Sequence, residues 1–202
     1  DHRDRGRPGV VVLFELGDDH QRGDLGNHRD IAGDEDHRTV FTHRAGKGHR
    51  EAGQQRRHQG GEDHVAEGLP ALREQICDYL RRRRGVEATP ENILVISGTQ
   101  QAFALASRVL LDAGDRVVLE DPHYRGARQI FASYGARVLG VRVDAEGLVP
   151  AALPKQASLA VVTPSHQFPT GALLPLSRRV ELLEWATAKR CWLIEDDYDG
   201  EF

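Results

Sequence analysis

Four short stretches of this chain carry residue types suited to binding a small charged ligand. Glu195-Asp196-Asp197-Tyr198-Asp199-Gly200-Glu201-Phe202 holds five carboxylates within seven positions, directly after the apolar run Cys191 to Ile194. Such acids can ligate a divalent metal, but their spacing departs from the calcium loop D-x-[DN]-x-[DN]-G. A single acid at a strand end can instead pair with a buried cation, such as a protonated ring nitrogen. Ser97-Gly98-Thr99-Gln100-Gln101 opens a helical pattern. There a glycine lets backbone approach an anion, and the helix start supplies N–H groups and a positive dipole end. Simple helix capping explains these residues equally well. Neither a P-loop nor a G-x-G-x-x-G turn is present.

The third stretch, Pro164-Ser165-His166-Gln167-Phe168-Pro169-Thr170-Gly171, is a turn-rich loop with two polar side chains, His166 and Gln167. No G-x-S-x-G elbow accompanies it, which argues against a serine hydrolase. The fourth, Glu120-Asp121-Pro122-His123-Tyr124-Arg125-Gly126, places an aromatic at a helix start. Tyr124 could lie flat on a planar ligand ring or pack between helix and sheet. His123 has no visible acid or nucleophile partner and receives no role.

The elements that must position these residues alternate. Leu69 to Arg83 reads as a helix with apolar Leu72, Ile76 and Leu80 at fourfold spacing. It is closed by Arg81 to Arg84 and Gly85, which suit a helix C-terminus. Ile93–Ile96, Arg116–Glu120, Ala136–Val143, Leu159–Thr163 and Cys191–Glu195 read as strands. Gln100–Leu111, Tyr124–Tyr134 and a segment capped by Ser177 and running to about Lys189 read as helices. This alternation predicts an α/β fold, a mostly parallel sheet with helices on both faces. Ligands of such sheets bind beyond the carboxyl ends of the strands, where all four stretches fall.

Composition divides the 202 residues in two. Eight of the ten histidines and eleven of the 21 glycines lie within residues 1–64, where apolar residues are sparse apart from Val10 to Leu16. The histidine spacing lacks i, i+4 pairs or companion cysteines, which argues against a metal tract. Eleven Lys and Arg against thirteen Asp and Glu there cancel attraction to DNA phosphates. Residues 1–64 are therefore expected to form no recognisable domain, as a disordered or out-of-frame segment, before an α/β domain over 65–202. Across the chain the net charge of −4 gives no general case for nucleic-acid binding. No apolar run is long enough for a membrane span. Cys77 and Cys191 form no C-x-x-C pair, and with no signal-peptide pattern the expectation is a reducing cytoplasm.

Four motifs in order now carry a resemblance: Gly68-Leu69-Pro70-Ala71-Leu72-Arg73, Ser97 to Gln101, Thr163 to Gly171 and Ile194 to Phe202. Together they resemble fold-type-I pyridoxal-phosphate (PLP) proteins over residues 67–202. The forms S-H-Q-F-P-T-G and E-D-D-Y-D-x-E-F are similar to the MocR subfamily of GntR regulators, which join a winged helix-turn-helix to an aminotransferase-like domain. The resemblance implies part of the large domain of the aminotransferase fold. It implies that Gly98, Thr99 and Gln100 hold the cofactor phosphate and that Tyr124 stacks on the pyridine ring. Asp196 would pair with the ring nitrogen, Tyr198 would bond the phenolic oxygen, and His166 and Gln167 would lie beside the cofactor. Phe168 occupies the place of an asparagine in ordinary aminotransferases, a departure that suits the regulators. Arg73 is expected in a salt bridge or on a helix surface.

The family's cofactor chemistry needs a lysine in an S-x-x-K setting. None of Lys47, Lys155 and Lys189 stands in one, so the chain as given is expected to be an inactive fragment with no catalytic residue of its own. In the intact protein the resemblance implies an amino acid or amine effector, DNA contact through a domain outside this segment, and a homodimer. A true class I/II aminotransferase is the alternative, and an inactive remnant is a third reading.

Overall fold

The computed structural model describes residues 66–198 and, earlier in the chain, the strands β1 (Val11–Leu16) and β2 (Thr39–Ala45). The readings that fall on the rest of 1–64, on Lys47 and on Asp199 to Phe202 lie outside the described residues. The helix α1 (Pro70–Arg84) is followed by β3 (Ile93–Ile96), α2 (Thr99–Leu110), β4 (Arg116–Asp121) and α3 (Arg125–Ser133). Then come β5 (Arg137–Asp144), β6 (Gly147–Leu148), β7 (Leu159–Val162), α4 (Leu176–Lys189) and β8 (Trp192–Asp197). The strand order is β3-β1-β2-β8-β7-β4-β5-β6, with β6 antiparallel to β5 and every other pair parallel. The predicted α/β class and the alternation of elements are therefore found.

Two-residue alternation sorts the apolar side chains of each strand between two cores. Val117, Leu119, Leu159, Val161 and Ile194 pack with Ala102, Phe103 and Ala106 of α2 and Ala127 and Phe131 of α3. Val118, Ala160, Val162 and Leu193 point the other way, onto Leu182 and Ala186 of α4. Ile93 of β3 packs under Ile76, Cys77 and Leu80 of α1. Burial on both faces explains why these strands read as continuous apolar runs.

Two details depart from the sequence expectations. Ser177 does not cap α4, which begins one residue earlier with Pro175 at its N-cap. Pro175 fixes the chain direction, and the Arg179 guanidinium donates to the Leu174 and Pro164 carbonyls at 3.0 Å each, holding the helix start to the preceding loop. In addition, β1 and β2 lie between β3 and β8, within the stretch from which no domain was expected. Val11-Val12-Leu13-Phe14 and Thr39-Val40-Phe41-Thr42 are β-prone but too short to stand alone. Between two strands, each gains a hydrogen-bonding neighbour on both sides.

Caps and clasps finish the frame. Gly85 ends α1 in the left-handed conformation, φ 65°, its N–H donating to the Leu80 carbonyl. The Arg73 guanidinium, on the surface of α1, donates to the Pro90 carbonyl and braces that backbone. Arg178 of α4 grips Asp144 at 2.7 Å and Glu146 at 3.0 Å. Its hydrogen bond holds the Asp144 carboxyl down to about 2. Cys77 and Cys191 are buried free thiols, and burial pushes Cys191 up to about 12. No helix among the described residues is long and apolar enough to cross a membrane.

Phe103 and Phe131, both fully buried, meet with ring centroids 5.3 Å apart where α2 and α3 share one core. Phe131→Ala should lower unfolding free energy by about 3–5 kcal/mol in urea titration. A loss below about 1 kcal/mol would show that this core does not hold α3 to the sheet.

Candidate functional site

The strands that deliver the candidate residues run parallel, so their carboxyl ends share one edge of the sheet. Ile96 of β3 is level with Glu15 of β1, and Glu15 with Arg44 of β2. His43, one residue before Arg44, is level with Asp197 of β8. The end of β3 and the end of β8 thus stand at nearly the same height, three strand spacings or about 14 Å apart.

Alternation then separates the acids of β8. Asp196 shares the face of Ile194, which is covered by α2 and α3. Glu195 and Asp197 take the face of Leu193, which is covered by α4. Asp197 is paired there with Arg84 at the end of α1, at 2.5 Å. The carboxylates of 195–197 therefore do not converge as a metal cluster, and Asp196, 8% exposed, is the acid on the side where α2 and α3 begin.

On that side α2 starts at Thr99, after Gly98 at φ 109°, and no side chain caps its first amides. Gly98 is buried and Gln100 exposed. The Gln100 amide donates to the Tyr124 hydroxyl at 2.5 Å, joining the start of α2 to the start of α3. Tyr124 is folded back on its own helix. A Cβ at Gly126 would lie 2.4–2.5 Å from three atoms at the end of the Tyr124 side chain. Gly126 therefore determines where that ring lies.

A second group forms at the ends of β7 and β8. The His166 ring stacks on Tyr198 with centroids 6.1 Å apart, and Phe168 meets Tyr198 edge-on at 6.0 Å. Gly171, φ 76°, closes the loop with its Cβ direction 3.1 Å from His166 Nε2. Gln167 is the exception among the expected ligand-facing residues. It is 1% exposed, and its amide is engaged by Glu120, Pro122, Phe168 and Thr170. In a run of exposed–buried–exposed residues, His166-Gln167-Phe168, the middle side chain turns inward and holds the loop together.

The structure thus gathers Gly98, Thr99, Gln100 and Tyr124 into one group and His166 and Tyr198 into another beside Asp196. Sequence reasoning missed Glu120, Gly126 and the Arg84–Asp197 pair. Glu120 carries the same signature that singled out Asp196, an acid ending an apolar strand. Gly126 and Arg84 carried no local signal.

A parallel α/β sheet with ligand-type residues gathered at its carboxyl edge defines a ligand-binding α/β domain. Residues 36–199 match the family Aminotransferase class I and II, and the chain belongs to that family, whose members depend on PLP. It is 43% identical over 144 residues to the HTH-type transcriptional regulator TauR of Rhodobacter capsulatus, covering 71% of this chain and 30% of that protein. It is 43% identical over 135 residues to the HTH-type pyridoxine biosynthesis transcriptional regulator PdxR of Corynebacterium glutamicum, covering 67% of this chain and 30% of that protein. Among solved structures it is similar to LysN, the alpha-aminoadipate aminotransferase of Thermus thermophilus complexed with N-(5'-phosphopyridoxyl)-L-leucine. There the TM-score is 0.58 and the identity 36%, over 65% of this chain and 34% of that one. The chain spans about 30% of the length of the curated relatives it matches.

Because the displaced atoms are the mobile end of a side chain, Gly126→Ala should fold and force the Tyr124 ring aside. The near-ultraviolet tyrosine dichroism should change while the far-ultraviolet spectrum stays the same. An unaltered tyrosine signal would mean that Gly126 does not set the ring.

Proposed function

We propose that this domain binds pyridoxal 5'-phosphate or its amine form at the carboxyl edge of the sheet, as the ligand-sensing part of a MocR-type transcriptional regulator. The observation that carries the reading is the shared face of Asp196 and the α2 N-terminus, which puts an acid and an anion-binding helix start on one side of one edge. Gly98, Thr99 and Gln100 would hold the phosphate. Asp196, buried on the face shared with α2 and α3, would hold a proton on the ring nitrogen. Tyr124 would lie against the ring, and Tyr198, with His166 stacked on it, would bond the phenolic oxygen. When bound, the cofactor supplies an electron sink. Gln167 belongs to the loop brace and makes no cofactor contact in this reading.

The described lysines stand away from this edge. Lys155 precedes β7 and Lys189 precedes β8, so both lie near the amino ends of parallel strands. Covalent attachment of the aldehyde would therefore need a lysine outside the described residues. The similarity to HTH-type regulators supports DNA contact through another domain; an amino acid or amine effector and a homodimer complete the proposal. The similarity to LysN keeps a second reading, a class I/II transaminase, because one scaffold hosts both roles.

Pyridoxamine 5'-phosphate needs no lysine, so it tests the pocket directly. It should bind saturably in calorimetric titration, and Asp196→Ala should weaken it by about tenfold or more. Absence of saturable binding to the wild-type chain would sink the cofactor reading. Borohydride treatment with PLP should leave no lysine adduct at Lys155 or Lys189 in peptide mass spectra. Neighbouring coding sequence should supply a winged helix-turn-helix before this segment and an S-x-x-K after it. A protein without the former, exchanging amino groups between amino acid and 2-oxo acid, would favour the transaminase.

A further inference from the structure

We propose that Glu120 is a positioning residue for this site, its buried carboxylate tying the loop that bears His166 to the loop that bears Tyr124. The role towards a ligand rests on the cofactor reading above; the brace itself rests on geometry alone.

Glu120 lies in β4 at 2% exposure. Three donors converge on its Oε2: the Thr163 hydroxyl at 2.6 Å, the Thr163 N–H at 3.3 Å and the Gln167 amide at 3.1 Å. The same Gln167 nitrogen stands 2.9 Å from the Pro122 carbonyl and 2.7 Å from the Phe168 carbonyl, so its two hydrogens are shared among three acceptors. Pro122 is two residues before Tyr124. One amide therefore touches both loops, and one carboxylate anchors it.

The His166 loop is closed on the same residue. Gln167 Oε1 accepts from the Thr170 hydroxyl at 2.6 Å and the Thr170 N–H at 3.1 Å. The Gln167 carbonyl accepts from Gly171 N–H at 2.7 Å, and the Gln167 N–H donates to Ala172 at 2.9 Å. Phe168 N–H donates to the Thr163 hydroxyl at 3.2 Å. Without Glu120 the donors of Thr163 and Gln167 would be left buried without that acceptor, which is costly because desolvation is no longer offset. His123 does not substitute for any of them. Its imidazole is 4% exposed, its Nδ1 stands 3.8 Å from Oε2, and neither ring nitrogen makes a hydrogen bond.

The bonds distinguish acceptor from charge. All three donors converge on one oxygen, so a glutamine at this position can accept them through its single amide oxygen, while alanine accepts none. The experiment compares the full chain with its Glu120→Gln, Glu120→Ala and Thr163→Val variants by hydrogen-exchange mass spectrometry and pyridoxamine phosphate titration. Glu120→Ala should speed exchange in residues 121–126 and 163–174 together and raise the ligand Kd by about tenfold or more. Glu120→Gln should exchange like wild type and bind within about threefold of it. Where Glu120→Ala does not fold, Thr163→Val removes the shortest donor with its shape kept, and should loosen both loops to a smaller degree.

Faster exchange confined to one loop, or none in either, overturns the coupling. A Glu120→Gln chain as loose as Glu120→Ala overturns the hydrogen-bond brace. Unchanged ligand affinity in a loosened Glu120→Ala chain overturns the positioning role. A wild-type chain that binds no pyridoxamine phosphate overturns the cofactor reading and Glu120's role towards that ligand, with the exchange data then reporting the brace by itself.

Discussion

A β-strand sends consecutive side chains to opposite faces, and the end of β8 depends on that rule more than any other part of the site. Asp196 and Asp197 are chemically identical neighbours. One emerges on the face where α2 and α3 start, and the other meets Arg84 of α1 at 2.5 Å on the opposite face. The Arg84 contact gives the second aspartate a structural task in a buried place where an unpaired carboxylate would be costly. It also pins the C-terminus of α1 to the strand that presents the first. A register slip of one residue in β8 would exchange the two roles.

Parallel pairing brings the separate stretches to one place. From β3 to β4, every described strand that precedes a candidate residue ends at the same edge. The helices that follow start there too, with their amide ends towards the edge. Within that edge the residues form two groups. Gln100 and Tyr124 join the starts of α2 and α3, and His166 and Phe168 lean on Tyr198. Between the groups lies a buried polar network whose members are largely satisfied by one another. Such a network holds loops in a single arrangement because any loosening exposes polar groups to an apolar surrounding.

The strands β1 and β2 show how a sheet can recruit segments that are unremarkable by themselves. Each has a brief β-prone core in a polar, glycine-rich setting, and neither has the length to pay for its own ordering. Placed between β3 and β8, each has two parallel neighbours. The family match, which begins at residue 36, also takes in β2. Composition averaged over 64 residues concealed both strands because they occupy thirteen positions, six and seven, within it.

By itself the sequence determined the class of fold, the order of elements from α1 onward apart from the two-residue β6, and the four stretches that meet at the sheet edge. Each of these is local: apolar runs, a left-handed glycine after arginines, and polar residues just beyond a strand. Tertiary structure decided the rest. It put Asp196 and Asp197 on opposite faces, turned Gln167 inwards onto Glu120, and laid the Tyr124 ring where Gly126 leaves room. Those outcomes depend on which partner arrives from 47 or 113 positions away, or on the absence of a single methyl group, and no periodicity along the chain records either.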